Sequence, residues 1–384
     1  MKKLTYVIVL FTLLKSVTGF AQSATQISEK QIATINQLVE DLSNKDKFSG
    51  TVLIAKGNKI LYQKAVGMAD KQKSSKNNIN TKFNLASMNK MFTSVAIAQL
   101  VEKNKLSYND KIIKYLPNLP EKTFGEVTIE QLLTHTSGAG DIFRIPKFMD
   151  MKDTAKTIAS YVDLGINEPL LFEPGTKFQY SNYGYILLGA LIENVSKMSY
   201  FQYVKKNIFS VAKMKNTDSY ETDKINKNMA IGYDIPPPMP GQAPNPMDAK
   251  IEREPTTAFI EVKGTSAGGG YSTAIDLHKF SLALYSPKLV STKSVATITS
   301  GKITMPKPPT PPNAQPLPER KYGFGFGELY KNNVRIVGHN GGAPGIEGQM
   351  DIYPDLGYTV IVLSNYGRAA IPVINFIEEM ITKP

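Results

Sequence analysis

Asn84-Leu85-Ala86-Ser87-Met88-Asn89-Lys90-Met91-Phe92 sets a serine and a lysine three residues apart where a helix begins. Residues at i and i+3 share a helix face, with Cβ atoms roughly 5–6 Å apart. In a first turn, unpaired backbone N–H groups and the positive end of the macrodipole favour a developing anion at Ser87. Lys90 points at the same place. Desolvated among Leu85, Met91 and Phe92, its ammonium is disfavoured, and the free amine can take the proton of Ser87. This is one way a weak hydroxyl nucleophile is activated. Serine also caps helices without any chemistry. The Ser-x-x-Lys spacing recurs at Ser210/Lys213, so the tetrapeptide does not decide alone.

Acyl transfer also needs a group that hands the proton to the leaving atom, and a cradle for the oxyanion. Tyr180-Ser181-Asn182, in a loop ahead of an apolar helix, offers the first. A phenol with a pKa near ~10 is a poor shuttle unless a cation stands beside it, and Lys90 could be that cation. Asn182 has donors and acceptors for a substrate amide. The plainer alternative is a packed tyrosine, with Asn182 capping the helix. His339-Asn340-Gly341-Gly342, read as the end of a strand, offers the cradle, since glycines let a backbone approach substrate closely. The alternative is a turn whose glycines serve only φ. Ser210/Lys213 with Tyr330-Lys331-Asn332 and His339 runs in the same order. However, Ser210 follows a helix, and Tyr330 lies on nearly the same strand as His339, so this set is put aside. His135 reads as a structural histidine at the end of a capped helix.

The elements that must hold these groups follow from periodicity. Residues 26–42 carry a helical apolar stripe, and 48–55 and 60–68 flank the Gly57-Asn58 turn of a hairpin. The Ser87 helix runs to about 103. A helix-rich stretch with loops follows, including helices over 127–133 and 185–195. After Gly268-Gly269-Gly270 come a helix over 273–284, strands over 335–338, 348–353 and 358–365, and a closing helix over 371–381. A lone hairpin is rarely stable, so the first one is expected to join the C-terminal meander in one sheet. The predicted sheet part covers about 26–80 and 260–384, the inserted helical part about 84–255, with Ser87 at the crossing between them. Proline-rich stretches at 235–254 and 305–318 exclude helix or central strand and read as extended surface loops.

Composition narrows the chemistry. The 384 residues contain no cysteine, and His135, His278 and His339 show no paired metal spacing, so a zinc hydrolase is not indicated. The proposed chemistry calls for no metal or organic cofactor. Lys2 and Lys3, an apolar run over 4–14 and Gly19-Phe20-Ala21 read as a leader peptide over 1–21, cleaved after Ala21. Its removal takes three lysines and no acids, leaving a net charge of +9 from a formal +12. That suits either an anionic envelope or scattered surface lysines. No basic cluster interleaved with aromatics points to nucleic acid. No integral membrane span is expected once the leader is gone, because the run is too short for one.

Taken together, Phe83 to Lys90, Leu132 to Gly138, Pro174 to Asn182, Ala267 to Thr273 and Gly338 to Gly345 resemble the serine β-lactamase and penicillin-binding-protein superfamily. The resemblance covers nearly all of 30–380 and is strongest to class C β-lactamases, D,D-carboxypeptidases and their esterase relatives. It implies an α/β (α+β) fold, an antiparallel sheet flanked by helices with an inserted helical domain, spanning 22–384. It implies Ser87 as the acylated nucleophile, Lys90 as its base partner, Tyr180 as the proton shuttle and Asn182 as a substrate-amide ligand. His339 and Gly341 would form the third motif, and the N–H groups of Ser87 and Gly342 the oxyanion hole. That motif usually begins with lysine. A histidine there, mostly neutral at pH 7, is similar to some D,D-peptidases and aminopeptidase-like members and lowers the expectation of efficient β-lactam hydrolysis. The implied function is an exported serine hydrolase of the periplasm or extracellular space. It would act on D-amino-acid peptides of cell-wall type, peptidoglycan fragments among them, or on small esters. A β-lactamase and a non-catalytic peptidoglycan-binding or structural protein are the alternatives.

Overall fold

The computed structural model describes residues 27–236, 252–307 and 318–383. The leader expected over 1–21 and most of the two proline-rich stretches lie outside these residues. Helix α1 (Glu29–Asn44) opens on a capping box, in which Ser28 accepts from the backbone of Gln31 and the Gln31 side chain reaches back. Strands β1 (Gly50–Lys56) and β2 (Lys59–Val66) form the expected hairpin about Gly57.

Six further strands complete an eight-stranded sheet: β3 (Ile303–Thr304), β4 (Arg320–Tyr322), β5 (Gly327–Lys331), β6 (Val334–Ala343), β7 (Ile346–Tyr353) and β8 (Tyr358–Ser364). Its spatial order is β2-β1-β8-β7-β6-β5-β4-β3. The N-terminal hairpin does join the C-terminal meander, through β1 against β8 in antiparallel register from Gly50↔Ser364 to Lys56↔Tyr358. Alternation along these strands divides the core. Val52, Ile54, Val360 and Val362 face one cluster with residues of α1 and of the closing helix α6 (Ala370–Thr382). Leu53, Ala55, Ile361 and Leu363 face the other, larger cluster. A sheet covered on both sides needs strands apolar on both sides, and β8 is buried throughout.

The larger cluster is built around α2 (Asn89–Glu102), with α3 (Ile129–Leu133), α4 (Asn182–Ser196) and α5 (Ala274–Leu284) beside it. Met91, Phe92, Val95, Ala96, Ile97, Ala98 and Leu100 place apolar groups all round α2, which is the mark of a central helix. Two expectations change. Ser87 lies in a 3-10 turn, Ala86–Met88, that leads into α2 rather than in the α-helix itself. His339, Asn340, Gly341 and Gly342 lie within β6, which runs five residues beyond the predicted end at 338, because β7 pairs with it as far as Ala343↔Ile346.

Candidate active site

Ser87 is held by a backbone that its neighbours fix. Ala86 has a φ of +42°, unusual for a residue with a Cβ. Asn84 Oδ1 accepts from the Ala86 N–H at 2.8 Å, and the Ala86 carbonyl accepts from Gly269 N–H at 3.1 Å. Strand β6 lies against this turn. A Cβ on Gly341 would stand 2.1 Å from the Leu85 carbonyl oxygen, so only glycine permits that approach. Neither Gly341 nor Gly342 has a positive φ, which removes the reading of these glycines as a mere turn.

Lys90 is fully buried one turn on. Its amine lies 2.6 Å from Asn182 Oδ1, 2.6 Å from the Ala267 carbonyl and 3.3 Å from Ser87 Oγ. Burial pulls its pKa down to about 7, while the Asp141 carboxylate pulls the other way. A neutral amine has two hydrogens and one lone pair. Asn182 and Ala267 take the two hydrogens, and the lone pair is left to face the Ser87 hydroxyl.

The loop before α4 supplies the other wall. Ser181 caps α4 by accepting from Gly184 N–H at 2.9 Å, so Asn182 is not the cap and its side chain is free to turn inward. Asp141 Oδ2 accepts from Asn182 Nδ2 at 3.0 Å, which fixes the amide with its oxygen toward Lys90. Tyr180 lies with its ring centroid 4.7 Å from the Lys90 amine. Its buried hydroxyl completes no hydrogen bond among the described residues, although Ser87 is the hydroxyl that acts on it. Burial pushes its pKa well above the ordinary phenol value, with Ser87 opposing.

His135 positions Tyr180. Its Nδ1 accepts from Ser181 N–H at 3.1 Å and its carbonyl from Gln179 N–H at 2.9 Å, so two bonds straddle the tyrosine. The rings stack at 4.1 Å. His339 is neutral, because burial above all, and the Lys90 ammonium when that amine is protonated, hold its pKa down at about 3. Its Nδ1 donates to the Asn340 carbonyl and its Nε2 accepts from the Tyr322 hydroxyl at 2.8 Å. Both nitrogens are therefore engaged inside the protein.

Ser87, Asn182 and Gly342 line one cavity, together with Phe143, Ile260 and Glu261. Nothing stands within 4 Å of where a Cβ on Gly342 would be. The rejected set stays apart: Ser210, Lys213 and Tyr330 are all exposed. Sequence reading missed Asp141, Tyr322 and Glu261. Asp141 has a local signal, since it caps the short turn Ile142–Arg144. Its reach across 41 residues to Asn182 has none.

A model of the family described as Beta-lactamase matches residues 35–370. The chain is 34% identical over 345 residues to penicillin-binding protein 4* of Bacillus subtilis, covering 86% of this chain and 71% of that protein. It is 28% identical over 352 residues to protein flp of Staphylococcus aureus, covering 91% of this chain but only 65% of that one. Among solved structures, a penicillin binding protein from Bacillus halodurans superposes with a TM-score of 0.77 at 28% identity, covering 90% of this chain and 98% of its own.

Proposed function

The chain belongs to the β-lactamase family of serine hydrolases, and on that premise we propose that Ser87 is acylated and then deacylated by water. Lys90 takes the proton as Ser87 Oγ bonds to the substrate carbonyl carbon. The oxyanion is received by the N–H groups of Ser87 and Gly342. The proton passes from Lys90 by way of Tyr180 to the leaving atom as the scissile bond breaks. Water then repeats the sequence on the ester and frees Ser87. Asn182 binds the substrate amide and holds Lys90 in place. The observation that carries this reading is the buried Lys90 amine, with two of its contacts taken and the third on Ser87 Oγ at 3.3 Å.

The substrates we propose are D-amino-acid peptides of cell-wall type, or small esters, met outside the cytoplasm after loss of the leader. The names of the penicillin-binding relatives support this. Efficient β-lactam hydrolysis ranks below it, because His339 supplies no fixed charge for a substrate carboxylate. A purely binding role ranks lower still, since it gives no reason to keep a lysine buried beside a serine.

Intact-mass analysis after a fluorophosphonate, and separately after a penicillin, tests the assignment on wild type and Ser87→Ala. A single adduct from the fluorophosphonate is expected on wild type and none on the variant. An adduct that persists on Ser87→Ala would remove Ser87 from its role.

A further inference from the structure

Glu261 stands in the same cavity as Ser87, and its own backbone N–H donates to its carboxylate. Among the described residues no side chain of another residue bonds or pairs with that carboxylate. The nearby cation Lys152 is committed to Asp153 at 2.6 Å. The other acid beside the site, Asp141, is already engaged by Asn182 Nδ2 and by the Phe143 N–H at 3.1 Å. Glu261 is also close to the reacting centre. Its Oε2 lies 3.8 Å from where a Cβ on Gly269 would stand, and Gly269 N–H bonds the carbonyl of Ala86, next to Ser87. A Cβ on Gly268 would stand 3.5 Å from Ser87 N. With glycine at both positions, the loop 268–269 puts no side chain of its own between the carboxylate and the nucleophile.

We propose that Glu261 receives the free α-ammonium of the acyl group, so that the enzyme selects aminoacyl amides, esters and peptides whose first residue is unblocked. Glu261 is half-buried, and a carboxylate that faces a cavity with no cation bonded to it is stabilised by an arriving ammonium. Consistent with this, burial raises the carboxyl of Glu261 above its usual range. An α-ammonium is two bonds from the carbonyl carbon that Ser87 attacks, which fits a carboxylate lining the same cavity. This inference rests on Ser87 as the nucleophile and narrows the substrates proposed above.

The test is protection of Ser87 from a fluorophosphonate by D-alaninamide or N-acetyl-D-alaninamide. The labelling rate without competitor is the reference for each protein, so failure of the nucleophile would show as no labelling at all. In wild type the free amine is expected to protect at concentrations about 10- to 100-fold lower than the acetylated compound. In Glu261→Gln, and in Glu261→Ala as a second variant, that ratio is expected to fall to about one. Equal protection by both compounds in wild type, no protection by either, or an unchanged ratio in both variants would overturn the role of Glu261 while leaving Ser87 labelled.

Discussion

Lys90 is placed to react because burial brings its pKa down to about 7 and its neighbours use up the hydrogens of the neutral amine. The pair Ser87 and Lys90 was legible in the sequence because its geometry is local: three residues on one helical turn fix the approach. Asp141 was not, because its role depends on a contact with Asn182 that only the tertiary fold makes. Two outcomes follow at this scale. Lys90→Met is expected to slow acylation by about 10²- to 10⁴-fold, the range for losing a positioned base, as read by single-turnover labelling. Asp141→Asn removes a charge that raises the Lys90 pKa and frees the Asn182 amide to turn over. Its kcat/KM should drop by about 10-fold, and the midpoint of its pH–rate curve should move to lower pH. An unmoved midpoint would show that Asp141 acts only on structure.

The glycines of β6 suggest a turn, yet the strand continues through them to Ala343. What the pattern could not reveal is that Gly341 is demanded by the backbone of Leu85, packed across it, rather than by its own φ. Gly341→Ala is therefore expected to push β6 off the Ser87 turn, at a cost of about 1–3 kcal/mol from overpacking, seen as a lower unfolding temperature. Gly342→Ala, with open space at its Cβ, should unfold within a degree or two of wild type. Strand β7 carries a separate sensitivity. Asp351 is buried on the sheet, and burial raises its pKa to about 7, although Gln349 Nε2 donates to both of its oxygens at 2.9 and 3.0 Å. The folded state thus holds a proton that the unfolded chain gives up near pH 4. Stability should fall as pH rises from about 4 to 7, and Asp351→Asn should gain ~1–3 kcal/mol at pH 8 with little change at pH 4. Denaturant unfolding at the two pH values checks this.

Across the whole molecule, the joining of the first hairpin to the last strands could be inferred because a hairpin alone cannot bury its apolar faces. That closure brings residues 87, 180 and 339 to one place, although they are far apart along the chain. The aromatic packing that aligns them could not be inferred. His135, the neighbouring Tyr180 and Tyr185, and Tyr322 meet from three separate segments, and their sequence neighbourhoods carry no shared period. If the proposed leader over 1–21 is cleaved as expected, the mature chain begins at Gln22, which N-terminal sequencing of secreted material would check, and an intact Met1 would contradict it. A neutral Lys90 drives acylation in the proposed mechanism, and every later step follows from it. The direct measurement is the rate of fluorophosphonate labelling of wild type against pH. It should rise through a midpoint near 7 and level off above it, following loss of the proton from Lys90. A rate that stays flat from pH 5 to 9 would contradict it.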